Sequence, residues 1–215
     1  MKKYIKYIIA SIVLVFVIVF LLLFFNIPRV NYTLDTSKNE YYVSGVYGNS
    51  KSYKIENEIN GIKVTKIGVR AFYNKSNLEE IILPDNVNYI SRLAFSECKN
   101  LKNINLDKIN VIERNAFSYD TNLDNITISA KDIGASAFYK CSSLCNLSLN
   151  DGIISIGSMA FAGTKITKVS IPRSVKELGD NAFYECYALA NINVYGANLL
   201  GNDYLKSLNI VNYIG

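Results

Sequence analysis

The chain's 215 residues suffice for one domain and an anchor but not for two large domains, and its 23 basic against 18 acidic side chains give a formal charge of +5. Setting aside Lys2, Lys3 and Lys6 leaves 20 basic residues against those 18 acidic ones, a balance of about +2 that makes no footprint for nucleic acid. No histidine is present, which excludes Ser/His/Asp and Cys/His nucleophilic arrangements.

Residues 1–6 carry those three lysines and read as a cytoplasmic N-terminus. From Tyr7 to Phe25 only Ser11 and the phenol of Tyr7 interrupt an apolar run of 19 residues. A helix of that length, at about 1.5 Å per residue, spans most of a hydrocarbon core of roughly 30 Å. The lysines ahead of it and the single Arg29 closely behind it orient the N-terminus inward. Residues 7–27 therefore read as an uncleaved transmembrane signal anchor. The competing reading is a cleavable signal peptide, with an apolar core of about 7–15 residues and small residues at the cut. Leu21 to Pro28 offers no such site and no cysteine for a lipid anchor.

Pro28 ends the helix, and residues 28–40 read as a short polar spacer. Residues 41–66 read as an N-terminal cap and lead-in. Within them, Tyr41 to Ile55 reads as two strands around the turn Gly48-Asn49-Ser50, a hairpin that would cover the first coil of the region C-terminal to it.

Residues 67–215 are organised by a repeat. An Ala-Phe pair recurs at Ala71-Phe72, Ala94-Phe95, Ala116-Phe117, Ala137-Phe138, Ala160-Phe161 and Ala182-Phe183, at spacings of 23, 22, 21, 23 and 22 residues. A period of this size signals a solenoid. Each unit continues into an apolar pattern such as Leu144/Leu147/Leu149, in which Leu147 and Leu149 share one face of a strand while Asn146 and Ser148 share the other. No unit has apolar area for a core of its own, so stacked units share one. Leu205/Leu208/Ile210 repeats the strand pattern without an Ala-Phe, so the last coil either caps itself or is covered by something else.

These units, I-G-x-x-A-F followed by L-x-x-I-x-L, resemble the BspA-type leucine-rich-repeat proteins from about Tyr41 to the C-terminus. The segment Ile59 to Gly68 is similar to that family's lead-in, and Pro84 and Pro172 stand where its pattern places a proline. Lys75 and Asp120 depart from it, standing where the pattern has cysteine. The resemblance implies a mainly-β, right-handed leucine-rich-repeat coil with a parallel concave sheet, carried on a cell surface, with binding or adhesion as the usual role.

Cys98, Cys141 and Cys186 share the slot four residues after the Ala of alternate units. Stacking sets them about 10 Å apart, beyond the ~7 Å reach of a disulfide, and they read as packing residues. Cys141-x-x-x-Cys145 lacks the second pair of a metal site, and Cys145 has no equivalent in other units. The adjacent carboxylates Glu79 and Glu80 point to opposite faces of a strand and read as solvated. No cofactor is implied.

Two surfaces are candidates for binding. On the concave face, one outward column is Glu80, Asn103, Asn125, Asn146, Lys168 and Asn191, and the next is Ile82, Asn105, Thr127, Ser148, Ser170 and Asn193. Beside the first column, Ile104, Ile126, Leu147 and Ile192 are expected to point inward. The outward residues make a nearly neutral amide and hydroxyl surface suited to a protein or glycan, or simply the small polar residues that a solvated sheet tolerates. Tyr73, Tyr139 and Tyr184, with Tyr119 and Tyr187 nearby, form the second surface, either an interface or a row stitching coils together. The sequence thus points to a single-pass membrane protein, N-terminus inside and repeats outside, acting as a non-catalytic binding or adhesion module. The alternative is an accessory subunit docked permanently on another membrane or envelope protein through its C-terminal edge.

Overall fold

The computed structural model describes residues 4, 9, 11–20 and 27–214. Residues 11–20 are helical, yet among the described residues no helix is long and apolar enough to cross a membrane. Most of the remaining anchor, and the lysines expected to orient it, lie outside the described residues.

The first correction falls on the expected spacer. Residues 28–40 contain β1 (Arg29–Asp35), which pairs antiparallel with β2 (Glu40–Tyr47). Val30, Tyr32 and Leu34 alternate with Asn31, Thr33 and Asp35, a period of two that the polar composition concealed. Asn39 closes the turn at φ 54°, and the backbone amide and hydroxyl of Ser37 both donate to Asp35. The hairpin therefore lies one strand earlier than expected. Residues 50–55 form no strand; they send Tyr53 and Ile55 into the core, and the Tyr53 hydroxyl donates to the Gly48 carbonyl at 2.8 Å.

The lead-in is a tight antiparallel pair, β3 (Glu58–Ile59) and β4 (Ile62–Ile67), turned by Asn60 and Gly61 at φ 50° and 75°. Each following coil supplies two short strands. In the first row, β4 is followed by β6 (Tyr89–Ile90), β8 (Val111–Ile112), β10 (Asp132–Ile133), β12 (Ser155–Ile156) and β14 (Glu177–Leu178). These run parallel and join β1–β3 in one nine-stranded sheet. Close approach holds this row together: a Cβ on Gly134 or Gly157 would come within 2.5 or 2.4 Å of the preceding coil's backbone.

The second row carries the L-x-x-I-x-L pattern. It comprises β5 (Glu80–Ile81), β7 (Asn103–Ile104), β9 (Asn125–Ile128), β11 (Asn146–Leu149), β13 (Lys168–Ile171), β15 (Asn191–Tyr195) and β16 (Val211–Ile214). All its pairings are parallel, but they fall into three separate sheets, β5–β7, β9–β11 and β13–β15–β16. The expected single sheet on this face is therefore interrupted twice, and the unbroken sheet lies on the other row.

Between the rows runs the Ala-Phe turn. The residues one before and three after each Ala adopt positive φ, as in Arg70 and Asn74, Leu93 and Glu97, and Ser136 and Lys140. This alternation turns the Phe amide toward the next coil, so that Phe72 donates to the Ala94 carbonyl at 2.7 Å and Phe138 to Ala160 at 2.7 Å. The rings beneath form a stacked column from Phe72 to Phe183, with centroids 4.9, 5.2, 5.0, 5.4 and 5.6 Å apart. Tyr53 closes its N-terminal end edge-on at 5.8 Å. At the other end, a helical turn at Asp203–Lys206 presents the Tyr204 hydroxyl, which accepts the Phe183 amide at 3.0 Å in place of a further coil's carbonyl. The last coil thus caps part of itself.

Candidate binding face

The first outward column is placed as expected for Glu80, Asn103, Asn125, Asn146 and Lys168, all exposed, while Asn191 is half-buried. In the second column, Ile82, Thr127, Ser148 and Ser170 are exposed, and Asn105 and Asn193 are half-buried. Ile82 is an outlier of another kind, a large apolar side chain 70% exposed.

Of the neighbours expected to point inward, Ile126 and Ile192 are buried, but Ile104 and Leu147 are only half-buried. Those two belong to β7 and β11, the strands on the N-terminal side of each interruption in the sheet. Both keep part of their surface uncovered. The result is a shallow groove of about 450 Å³ across coils two to five. Asn125, Thr127, Asn146, Ser148 and Lys168 line it over a floor that includes Ile104, Ile126 and Leu147. The Asn146 amide donates to the Asn125 carbonyl in the neighbouring coil.

Asn105 has a different role from its column mates. Its side-chain carbonyl accepts the Leu83 amide at 2.7 Å, and its own amide donates to the Leu83 carbonyl at 2.9 Å. That side chain therefore stands in for a strand, clamping coil two to coil one. Cys145, unassigned from sequence, is half-buried within the groove, and its sulfur accepts the Asn146 amide at 3.5 Å. Its place was hidden because no other unit has a thiol there.

The tyrosines are elsewhere. Tyr73, Tyr119, Tyr184 and Tyr187 are exposed, Tyr187 at 91%, and Tyr139 is half-buried. They pair sideways rather than around the groove. Tyr119 meets Tyr139 edge-on at 5.5 Å, and the Tyr73 hydroxyl donates to Glu97 at 2.8 Å. The Lys140 ammonium lies 5.6 Å from the Tyr139 ring centroid and pairs with Glu185, which raises the lysine's pKa. None of the five lines the groove.

The cysteine slot is a packing feature with one exception. All four thiols are free, and Cys98, Cys141 and Cys186 donate to the carbonyls of Phe72, Phe117 and Phe161 in the preceding coils at 3.0, 3.0 and 3.2 Å. Thr164 fills the same slot in coil five and donates to the Phe161 carbonyl at 2.9 Å. Asp120 fills it in coil three and is fully buried. One of its oxygens accepts the Cys98 amide at 2.8 Å, and the other has no partner. Burial pushes this carboxyl's pKa well above the usual range, with the Glu97 charge adding to the shift. Glu79, by contrast, pairs with Lys51 at 2.7 Å on the surface.

A second cavity, of about 510 Å³, lies beside the hairpin and includes Glu40, Tyr42, Thr65, Lys66 and Tyr89. The Glu40 carboxylate accepts the Thr65 hydroxyl at 2.9 Å, and Lys66 lies 4.9 Å over the Tyr89 ring. Desolvation, then the hydrogen bond to Glu113, pushes the Tyr89 phenol up to about 12. This cavity depends on the strand register Tyr42–Lys66–Tyr89, which no short motif announces. Among the described residues, no group of three or more Cys, Asp or Glu side chains is placed to hold a metal ion.

The chain is similar to solved structures of bacterial leucine-rich-repeat proteins. It is 26% identical to a leucine rich cell surface protein from Faecalibacterium prausnitzii A2-165, with a TM-score of 0.58, over 77% of this chain and 52% of that one. It is 27% identical to the T. pallidum leucine rich repeat protein TpLRR, with a TM-score of 0.59, over 76% of this chain and 68% of that one. The pneumococcal vaccine antigen PcpA shares the fold, at 24% identity and a TM-score of 0.63, over 80% of this chain and 49% of that one. The chain thus spans about half the length of the first and third. No curated protein matches it. The pattern described as the BspA type Leucine rich repeat region matches in six copies, over residues 46–131 and 119–214. That span covers most of the chain, which belongs to the BspA-type leucine-rich-repeat family.

Proposed function

We propose that this protein is anchored in the cell membrane by residues 7–27 and displays its repeats outside the cell, where they act as a non-catalytic binding or adhesion module. The ligand, a protein or glycan, lies across the asparagine face. The observation that carries this reading is the groove over coils two to five, lined mainly by amides and hydroxyls, with Lys168 and Asp107 among them, above a partly apolar floor. Similarity to a leucine rich cell surface protein supports the location. The full chain, reconstituted in lipid, should bind members of a glycan array or an array of extracellular proteins. The double variant Asn125→Lys, Asn146→Lys should lose that binding while melting normally. Retained binding by the folded variant would move the site off this face, with the tyrosine ridge next in line.

One observation favours the accessory-subunit reading. Among the described residues β16 is paired on one side only, and Leu200, Tyr213 and Ile214 are exposed. A purified chain that self-associates or is unstable alone would support that reading, while a stable monomer supports ligand display.

A further inference from the structure

We propose that the N-terminal end of the solenoid, the β1–β2 hairpin, is seated against the lipid headgroups of the membrane that holds the chain. The coils then rise away from the bilayer, with the C-terminal coil farthest from it. This rests on the anchor reading of residues 7–27; what it adds is where the folded domain must stand. The apolar run ends at Phe25, and β1 begins at Arg29, already in register with Tyr47. Only three residues separate them, so Phe25 and Arg29 stand at most about 14 Å apart along an extended chain. One is Pro28, whose ring fixes its φ and removes further slack. A tether this short holds the first strand at headgroup level.

The end so held is chemically suited to that contact. β1 is the terminal strand of the nine-stranded sheet, and among the described residues no other strand pairs along its outer edge. In water an open edge invites pairing with other chains; against headgroups it is shielded from them. At the corner where the chain enters, the Arg29 guanidinium lies 4.6 Å over the ring of Tyr47, which is itself exposed. Arginine suits lipid phosphate and tyrosine the apolar–polar boundary. Thr33 and Leu34, farther along the strand, are also exposed.

The geometry also sets the height of the groove. Seven strand spacings separate β1 from β14, about 34 Å in all. Coils two to five, counted from β6 to β12, therefore stand roughly 14–29 Å above the first strand. A ligand reaches the groove from the side, clear of the lipid.

The test uses the full chain in nanodiscs of phosphatidylcholine and phosphatidylglycerol, with a fraction of the lipid carrying a headgroup nitroxide. A fluorophore on Thr33→Cys reports β1, and one on Asn212→Cys reports the last strand, each in a Cys145→Ser background. The native Cys145 reports the groove, since the other three thiols are buried. Quenching should be several-fold stronger at Thr33 than at Cys145, and absent at Asn212. A flexible insertion of about ten residues between Pro28 and Arg29 should weaken the Thr33 signal by lengthening the tether. Equal quenching at Thr33 and Asn212, as for a solenoid lying flat, would overturn the seating, as would no quenching at Thr33. A chain that elutes with the nanodiscs but shows no gradient refutes the seating alone. A chain that elutes apart from them refutes the anchor, and the seating with it.

Discussion

Among the described residues Asp120 is the one carboxyl buried in the shared core, and replacing it should stabilise the protein at neutral pH. Its slot holds a thiol in coils two, four and six and a threonine in coil five, each donating to a Phe carbonyl. In coil three the carboxyl is fully buried, with one oxygen satisfied by the Cys98 amide and the other by nothing. An unsatisfied buried polar atom costs about 1–3 kcal/mol. Asp120→Thr, which restores the donor used in coil five, should recover a similar amount at pH 7. For a domain of this size that raises the melting temperature by roughly 2–4 °C per kcal/mol. The sign of the pH dependence follows from burial. The folded carboxyl's pKa is raised above the unfolded value, which is about 3.9. Its contribution to stability is therefore fullest below that unfolded value. It declines as pH rises through the window up to the folded pKa, at no more than about 1.4 kcal/mol per pH unit. Asp120→Asn keeps an acceptor for the Cys98 amide but cannot titrate. Denaturant midpoints from pH 4.5 to 8 should show the unaltered protein losing stability over part of that range relative to Asp120→Asn and Asp120→Thr. If all three curves run parallel, and Asp120→Thr is no more stable at pH 7, the buried carboxyl imposes no cost and the reasoning fails.

Phe138→Ala opens a gap in the middle of the stacked ring column and should cost about 3–5 kcal/mol, read as a fall in the thermal or denaturant midpoint. A loss under about 1 kcal/mol would mean that the column closes up around the gap. On the asparagine face, Asn105→Ala should destabilise by about 1–3 kcal/mol, because it strands the Leu83 amide and carbonyl. Asn125→Lys, one coil away and exposed, should stay within about 0.5 kcal/mol. Equal effects from the two changes would remove the distinction between clamp and ligand face.

The repeat period by itself determined that the chain coils and which side chains enter the shared core. Ala71-Phe72 through Ala182-Phe183 recur at a nearly constant interval, so every phenylalanine reaches the same place in its coil, and stacking of their rings follows. The alternation of Leu147 and Leu149 with Asn146 and Ser148 likewise assigned faces without any knowledge of the fold. These features are legible because they are local; a residue's direction within a strand depends on its own position. Even β1 was readable in this way, since Val30, Tyr32 and Leu34 alternate, although the polar residues between them suggested a spacer.

Only the tertiary structure decided how neighbouring coils meet. The unbroken sheet lies on the row where Gly134, Gly157 and Gly179 let backbones approach closely. The row with the stronger apolar pattern is broken into three. Ile104 and Leu147, on strands beside those breaks, stay half-covered and form part of the floor of the groove. Asn103 and Asn105 looked alike in sequence, yet one faces solvent and the other clamps Leu83 across coils. The positive-φ turns were only partly announced: Asn74, Asn115, Gly163 and Asn181 stand in some, while Arg70, Leu93 and Met159 occupy positions in others where glycine or asparagine would have signalled them. Each of these depends on the separation and register of residues about 22 positions apart. A single unit contains neither; both arise only when one coil is laid on the next.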